Sequence, residues 1–318
     1  MSSLSNLPYG KILDYWYERL AGHRYRRRFI LTKMIEVYTF KANSGKAGYS
    51  YDVLDFPNSQ SNNVPNNPKT CVVIPAFVCN MKDHDNLMNL FASLESQTKK
   101  PDSVILIDDC SPISYETNEY TFCKLNKNSG PAKARNIGKS IALKQNADII
   151  AFIDSDCIAD PDWLETITQN FLKHKEFNIL SGNTVAYDAH WFGIYHDING
   201  TLNGRKIKGS NKLLYGTTAN LAITSRVAEQ IDFNEQFPYA AGEDIEFCFK
   251  ANMAGFSITH IPQMIVKHNF GYEGTGISNF KKFRKLFKKY GSGEKILLEQ
   301  VPNYYAYFDQ TIEIPVTN

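Results

Sequence analysis

The amino-acid sequence contains no long hydrophobic run. No stretch approaches the roughly 18 consecutive apolar residues of a membrane-spanning helix, and no apolar stretch follows the initiator methionine. Neither a transmembrane helix nor a signal peptide is therefore expected, and we predict a cytoplasmic protein. The net charge of the 318 residues is only +2, a value that points to no particular class of partner, and we expect no binding of nucleic acid.

Sequence motifs of several cofactor-binding classes are also absent. The six cysteines include no C-x-x-C pair, which favours reduced, buried thiols over a disulfide framework or a zinc site. No G-x-G-x-x-G follows the first predicted strand. The tripeptide Gly138-Lys139-Ser140 imitates the end of a P-loop, but Gly130 lies too far upstream to complete that motif. The sequence therefore argues against dinucleotide-binding and P-loop chemistry.

The most informative stretch present is IIAFIDSDCIADPD at residues 149–162. Its continuous apolar run predicts a strand that is buried on both faces. Asp154 and Asp156 follow at the carboxyl end of this strand, which is where open α/β sheets bind ligands. Two carboxylates at that spacing can hold a hard divalent cation and leave coordination positions for water and phosphate oxygens. This pattern favours an enzyme that handles a nucleotide diphosphate.

Two other interpretations of these carboxylates stay open. An isolated Asp-x-Asp is common in solvated turns. Asp154, Asp156, Asp162 and Glu165 also occupy the first, third, ninth and twelfth positions of an EF-hand-like loop. However, apolar residues stand where that loop needs an oxygen ligand and a glycine, and no helical pattern precedes it.

The sequence alternates between strand and helix patterns. Apolar runs predict strands at residues 71–74, 104–107 and 149–153. Helices are predicted between them, one over residues 87–94 and one that begins near Pro131, where proline suits the first turn. Strands and helices that alternate at such short intervals predict parallel pairing with right-handed crossovers.

The N-terminal region has a pattern of its own. Leu13, Trp16, Tyr17 and Leu20 fall at helical spacing beside a basic stretch, so an amphipathic helix is predicted there. Its apolar side could pack on the protein itself or rest on an anionic membrane. Residues 58–68 are rich in asparagine, proline and serine, and predict a linker.

Residues 280–290, FKKFRKLFKKY, combine an apolar stripe with a basic rim. Phe280, Phe283, Leu286 and Phe287 fall on one face of the predicted helix. This pattern is typical both of peripheral binding to the cytoplasmic face of a membrane and of a helix that packs over the α/β domain.

Six segments of the sequence together resemble the glycosyltransferase family 2 group of the GT-A fold. They occur in the family's order and cover about residues 70–270. The segments are VVIPAF (72–77), SLESQT (93–98), ILIDDCS (105–111), NSGPAKARNIG (128–138), FIDSD (152–156) and GEDIE (242–246). The resemblance implies an α/β fold with a GT-A type nucleotide-binding sheet, helices on both faces, and small N-terminal and C-terminal helical segments. The implied divisions are an extension and linker at 1–68, the GT-A domain at 69–275, and a basic helix and tail at 276–318.

The resemblance also implies which residues hold a nucleotide-sugar donor. Phe77 would line a uridine base, and Pro75 and Ala76 would shape the loop around it. Asp109 would accept the base N–H, while Asp108 would support the loop. Phe77 stands where the family often has tyrosine, so the inference that the base is uracil is less specific.

The diphosphate and its cation complete this implied donor site. Arg135 would contact the diphosphate with its charge and its planar donor fork, with a surface arginine as the alternative. Asp154 would touch the ribose or a metal-bound water, and Asp156 would bind Mn²⁺ or Mg²⁺. His268 would return to the same ion, because an imidazole is a suitable ligand beside carboxylate and phosphate oxygens. A purely structural histidine is the alternative there.

The second half of the sequence would supply the base. Residues 216–223, GTTANLAI, predict a strand or extended loop whose small side chains permit close approach of a sugar. Gly242, Glu243 and Asp244 open a predicted helix, where the helix dipole also favours acidic groups. The resemblance assigns the base to Asp244, with Glu243 orienting the acceptor. A carboxylate within hydrogen-bond reach of the acceptor hydroxyl can remove its proton.

The resulting hypothesis is a metal-dependent, inverting glycosyltransferase. It would move a sugar from a nucleotide-diphosphate donor, UDP-linked, to a hydroxyl of a glycan, a lipid-linked molecule or another acceptor. Two alternatives stay open. A nucleotidyltransferase would show a glycine-rich basic loop after the first strand, which residues 72–80 lack. A catalytically silent scaffold would keep the fold and bind a partner or a membrane through its basic helices.

Overall fold

The computed structural model describes residues 60–115, 117, 120–187, 190–301, 304, 307 and 310–316. These residues form an α/β fold with one eight-stranded and one three-stranded sheet. The strands are β1 (Thr70–Ala76), β2 (Ser103–Asp108), β3 (Thr121–Lys124), β4 (Ile149–Ile153), β5 (Cys157–Ala159), β6 (Ile179–Ala186), β7 (Arg205–Ile207), β8 (Leu213–Tyr215), β9 (Asn220–Thr224), β10 (Ile258–His268) and β11 (Thr311–Glu313). The helices are α1 (Met81–Glu95), α2 (Pro131–Lys144), α3 (Trp163–Lys173), α4 (Trp191–Asn199), α5 (Ser225–Gln230), α6 (Glu243–Met253) and α7 (Gly276–Gln300).

Helices cover both faces of the first half of the large sheet. β1 pairs in parallel with β2 and with β4, and β2 pairs in parallel with β3, so the predicted parallel pairing is confirmed. Successive side chains of a strand point to opposite faces. Val72 accordingly lies in one core cluster with Leu87 of α1, whereas Val73 lies in the other with Ala134 of α2. The predicted α/β sheet with helices on both faces is confirmed.

The second half continues the sheet with mixed pairing. The strand order is β3-β2-β1-β4-β9-β6-β10-β5, and β9 runs antiparallel to both of its neighbours. The buried Asn220 at the start of β9 ties these elements together. Its side chain accepts from the Trp163 indole at 2.9 Å. It also donates to the backbone carbonyls of Asn183 and Met264 at 3.0 and 2.8 Å. Residues 216–223 therefore form a loop that leads into a buried strand.

The N-terminal region is described only from residue 60. The helix predicted around residues 13–20 and the first part of the predicted linker therefore lie outside the described residues. Within the rest of that linker, Asn62 and Val64 are buried, and the Asn62 amide donates to the Phe177 carbonyl at 2.8 Å. At least residues 60–64 thus pack on the α/β domain.

The C-terminal helix α7 packs on the domain through part of its apolar face. Phe283 is buried, and the centroid of its ring lies 4.8 Å from that of Phe192 and 5.0 Å from that of Tyr195. Phe280 is 56% exposed, so the predicted apolar face is divided between the protein and solvent. None of the helices in the described ranges combines the length and apolar character needed to cross a membrane.

Candidate functional site

Several predicted site residues lie at the carboxyl ends of neighbouring strands of the large sheet. Phe77, Asp109 and Asp154 directly follow the carboxyl ends of β1, β2 and β4. Since these three strands are adjacent and parallel, their carboxyl ends open on the same side of the sheet. Phe77 is 44% exposed there, Pro75 is partly buried and Ala76 is buried. The structure therefore brings Phe77, Asp109 and Asp154 to the same end of the sheet.

Asp109 shapes the turn that leads into α2. Its two carboxylate oxygens accept from the backbone N–H groups of Ser129 and Gly130, at 2.6 and 2.8 Å. Gly130 has a φ of 87° and directly precedes the helix, a conformation that glycine adopts without strain. The buried Asp108 accepts from the Ser111 N–H at 2.8 Å and so supports the neighbouring loop. The predicted contact of Asp109 with a base N–H stays a prediction.

A buried arginine joins the two halves of the site. Arg135 of α2 is only 1% exposed. Its Nη2 lies 2.8 Å from Oδ1 of Asp154, and its Nη1 lies 2.7 Å from Oε1 of Glu243. The other oxygen of Glu243 accepts from the Ala241 N–H at 2.7 Å. Buried charges are normally paired, and here one guanidinium pairs with two carboxylates. The predicted contacts of Arg135 with a diphosphate and of Glu243 with an acceptor stay predictions.

Asp244 is half-buried next to this ion pair. One of its oxygens accepts from the Ile245 backbone N–H at 2.9 Å. Burial and the neighbouring Glu243 raise the pKa of Asp244 to about 7, while Arg135 lowers it. A carboxylate with a pKa near neutrality can both bind and release a proton in the working range of an enzyme, which is the property required of a general base.

Asp156 and His268 face each other where β5 meets β10. Nε2 of His268 lies 3.3 Å from Oδ1 of Asp156, and ligand atoms of these two residues and of Cys157 lie within 4.8 Å of one another. Burial raises the pKa of the Cys157 thiol well above its usual value, and a soft sulfur ligand is a poor match for a hard cation. Nδ1 of His268 is buried without a hydrogen-bond partner among the described residues. One carboxylate and one imidazole remain as a donor set that fits Mn²⁺ or Mg²⁺.

Sequence reasoning missed a stack of rings behind His268. The centroid of its ring lies 4.5 Å from that of Phe270, and Phe270 stacks on His196 at 4.0 Å. Nε2 of the buried His196 lies 2.8 Å from the Tyr272 hydroxyl. These contacts fix the orientation of the segment that carries His268. The signal for this stack in the sequence was HNFGY at residues 268–272, where rings alternate with small or polar residues.

Comparison with known proteins connects the sequence to a family. Residues 71–232 match the family described as Glycosyl transferase family 2. The probable N-acetylgalactosaminyltransferase 9 of Caenorhabditis elegans is 30% identical over 158 residues, which cover 42% of this chain and 27% of that protein. Succinoglycan biosynthesis protein ExoW of Rhizobium meliloti (strain 1021) is 32% identical over 114 residues, which cover 33% of this chain and 34% of that protein. The chain thus spans about a third or less of the length of these relatives.

Solved structures share the fold. The crystal structure of S. aureus TarS 1–349 matches with a TM-score of 0.51 and 18% identity, over 76% of this chain and 72% of that one. The same protein has been crystallised with UDP and with UDP-GlcNAc. At this level of identity the likeness establishes the fold alone, which is of the GT-A type. Because the family match covers half of the sequence, this protein belongs to glycosyl transferase family 2.

Proposed function

We propose that this protein transfers a sugar from a nucleotide-diphosphate donor to a hydroxyl group of an acceptor. The observation that carries the proposal is the ion-pair network of Arg135 with Asp154 and Glu243. Asp154 lies two residues before Asp156, and Glu243 lies next to Asp244. The network therefore holds the candidate cation ligand and the candidate base at one site, although they are far apart in the sequence.

The donor is proposed to be UDP-linked. The exposed ring of Phe77 supports this choice, because an aromatic face at the edge of the sheet can stack on a planar base. Asp109 keeps acceptor capacity beyond its two backbone hydrogen bonds, since each carboxylate oxygen offers about two lone-pair sites. The remaining sites suit the N–H of uracil, and Asp154 would then face the ribose. The UDP complexes of TarS, which shares the fold, agree with this choice.

Asp156 and His268 would hold Mn²⁺ or Mg²⁺. The bound ion would offset the negative charge that develops on the departing diphosphate. The Asp156 side chain is 39% exposed and that of His268 is 13% exposed. Phosphate oxygens can therefore reach the coordination positions that the two side chains leave open.

Asp244 would act as the general base in a single displacement. The acceptor oxygen attacks the anomeric carbon while its proton passes to Asp244. The bond between that carbon and the diphosphate oxygen breaks, and the electron pair leaves with the diphosphate. Attack opposite the leaving group inverts the configuration of the anomeric carbon. Arg135, whose two terminal nitrogens are held by carboxylates, would position Asp154 and the start of α6 for this step.

An anionic lipid surface is proposed as a further partner. All charged side chains within residues 276–290 of α7 are basic, namely Lys281, Lys282, Arg284, Lys285, Lys288 and Lys289. Ile277 and Phe280 are 73% and 56% exposed on the same helix. A basic helix with exposed apolar side chains binds to the surface of an anionic membrane. Such a contact would hold a lipid-linked acceptor near the site.

Release of UDP from a panel of UDP-sugars tests the proposed transfer. The panel consists of UDP-GlcNAc, UDP-GalNAc, UDP-glucose and UDP-galactose, with Mn²⁺ and glycan or lipid-linked acceptors. We expect the wild type to release UDP from at least one donor and Asp244→Asn to lose that activity. A protein that binds no nucleotide would instead support a silent scaffold. Formation of pyrophosphate from a nucleoside triphosphate and a sugar phosphate would support a nucleotidyltransferase.

A further inference from the structure

Helix α7 lies directly against the segment that carries the candidate base. A Cβ atom added to Gly293 would lie 1.8 Å from the Ala241 carbonyl oxygen, and one added to Gly242 would lie 3.4 Å from the Gly293 oxygen. A contact of 1.8 Å is far inside van der Waals distance, so any larger residue at position 293 would force α7 or the facing segment to move. Asp244 follows Ala241 by three residues. This part of α7 is therefore fixed beside the base.

An earlier part of the same helix contacts the rings behind the candidate cation site. The centroid of the Phe287 ring lies 5.6 Å from that of Tyr290 and 6.1 Å from that of His196. His196 stacks on Phe270, whose ring in turn lies 4.5 Å from that of His268. The row of contacts that begins at Phe287 therefore leads to the histidine that faces the candidate cation ligand.

Tyr290 stands between these two contacts. Residues three apart lie on the same side of a helix, so Phe287, Tyr290 and Gly293 form one row. Because the first member of the row contacts the rings behind the cation site and the last contacts the base segment, Tyr290 lies between these two parts of the molecule. Its side chain is half-buried, and no hydrogen bond of its hydroxyl is found within the described part of the chain.

Three carboxylates of the site act electrostatically on the Tyr290 hydroxyl. Burial raises the pKa of Tyr290, Tyr272 raises it further, and the negative charges of Asp244, Asp154 and Asp156 add to this effect. The hydroxyl is therefore within electrostatic range of both the candidate base and the candidate cation ligand. It stays protonated at neutral pH and can donate a hydrogen bond to an anionic oxygen.

We propose that Tyr290 is a further catalytic residue, whose hydroxyl donates a hydrogen bond to a diphosphate oxygen of the donor. The inference rests on the proposed sugar transfer. As the bond from the anomeric carbon to the diphosphate breaks, the electron pair stays on the diphosphate, and the proton of the acceptor goes to Asp244. The Tyr290 proton is not transferred, and its hydrogen bond strengthens as charge develops on the leaving group. Tyr290 lies outside residues 71–232, which carry the family match.

Tyr290→Phe removes the hydroxyl and keeps the ring that packs on Phe287. The assay uses the full chain with Mn²⁺ and the UDP-sugar from which the wild type releases UDP fastest. We expect kcat to fall by about 100-fold, as for other lost donors to a developing negative charge, while the affinity for the intact UDP-sugar, measured by calorimetry without acceptor, changes far less. Tyr120→Phe is the control, because that ring packs on Phe91 at 4.8 Å, beside β3 at the edge of the sheet. It should keep the kcat of the wild type.

The possible outcomes separate this inference from the proposed function. A wild type that releases UDP and a Tyr290→Phe variant with the same kcat would overturn the role of Tyr290 and leave sugar transfer standing. A Tyr290→Phe variant that loses affinity for the intact UDP-sugar as strongly as it loses kcat would assign a structural role and also overturn the inference. A wild type that turns over no UDP-sugar and binds no UDP would overturn both proposals.

Discussion

Arg135 and Glu243 are 108 positions apart in the sequence, and their side chains form a buried ion pair of 2.7 Å between Nη1 and Oε1. The second terminal nitrogen of Arg135 pairs with Asp154 at 2.8 Å. Arg135 therefore couples the end of β4, next to the candidate cation ligand, to the start of α6, which carries the candidate base. The relative position of these two functional groups depends on a residue in a third element, α2.

Replacing Arg135 should destabilise the protein strongly. Arg135→Ala leaves the carboxylates of Glu243 and Asp154 without their cation, and breaking a buried pair in this way costs about 3–5 kcal/mol. Lys133→Ala on the same helix is the matched control. Its pair with Glu235 is 42% and 43% exposed, and such surface pairs contribute at most about 1 kcal/mol. Urea unfolding followed by circular dichroism measures the free energy of unfolding of both variants. Equal losses of this free energy in the two variants would contradict a buried structural bridge at Arg135.

Activity should depend on the ionisation of Asp244. Its pKa is raised to about 7, and only the ionised form accepts a proton, so kcat should rise with pH up to about 7 and level off above it. Asp244→Asn should lower kcat by about 10²–10⁴-fold, because an amide cannot act as the base. Asp85→Asn, which changes a carboxylate that is 72% exposed, should behave like the wild type. A kcat that is independent of pH across neutrality would contradict the assignment.

The raised pKa of Asp244 also predicts that ionisation of its carboxyl group lowers the free energy of unfolding. A carboxyl group with a raised pKa binds its proton more tightly in the folded state than in the unfolded chain. As the pH rises from the ordinary value of 3.8 to about 7, ionisation of Asp244 increasingly disfavours the folded state. Asp244→Asn should therefore melt at a higher temperature than the wild type at alkaline pH, and the difference should shrink in acid. A melting temperature of the variant below that of the wild type at alkaline pH would contradict destabilisation by the ionised Asp244 carboxylate.

Two glycines of α7 form a matched pair for testing the contact with the base segment. Gly293→Ala places a Cβ atom 1.8 Å from the Ala241 oxygen, whereas nothing lies within 4 Å of a Cβ atom at Gly291. We expect Gly293→Ala to cost about 1–3 kcal/mol through overpacking and to lower kcat, because α7 or the segment before Asp244 must move. Gly291→Ala should stabilise the helix by about 0.5–1 kcal/mol and keep kcat. Thermal unfolding and UDP release measure both, and a Gly293→Ala variant as stable as Gly291→Ala would rule out the close contact.

Binding to anionic vesicles should require the basic residues of α7. Each lysine near an anionic surface contributes about 1 kcal/mol, so Lys285→Glu combined with Lys288→Glu should weaken binding by more than about tenfold. Lys99→Glu combined with Lys100→Glu, on the loop before β2, changes the charge equally and should have little effect. Co-sedimentation with vesicles of phosphatidylcholine and phosphatidylserine measures the binding. If both double variants lost vesicle binding equally, the net charge of the protein would account for its attraction to the vesicles, and docking through α7 would be contradicted.

The sequence predicted the elements whose signals are local. The continuous apolar run of residues 149–153 forms β4 with the same bounds, because a strand buried on both faces requires such a run. Pro131 and Gly242 marked the starts of α2 and α6. Proline suits the first turn of a helix, and glycine tolerates the φ of 97° at position 242. These elements, in this order, were sufficient to predict the fold class.

The features that the sequence did not predict depend on contacts between distant segments. Strand β5 is three residues long and forms by pairing with β10, and no periodicity can be read from three residues. Helical spacing placed Phe280 on an apolar face, but it could not show which part of that face the domain covers. Tyr290 and Gly293 were not identified as site residues, because their role depends on where α7 docks. The bridge made by Arg135 was missed for the same reason.

Calorimetric titration of UDP, with and without Mn²⁺, tests the central claim most directly. We expect the wild type to bind UDP tightly only with Mn²⁺, and Asp156→Asn to lose more than about tenfold in affinity, since even outer-shell changes at metal sites cost that much. Asp160, which follows the other end of β5, pairs with Lys267 at 3.7 Å, and Asp160→Asn should bind UDP like the wild type. UDP binding that is equal with and without Mn²⁺, or unchanged in Asp156→Asn, would contradict a cation-bridged diphosphate at this site.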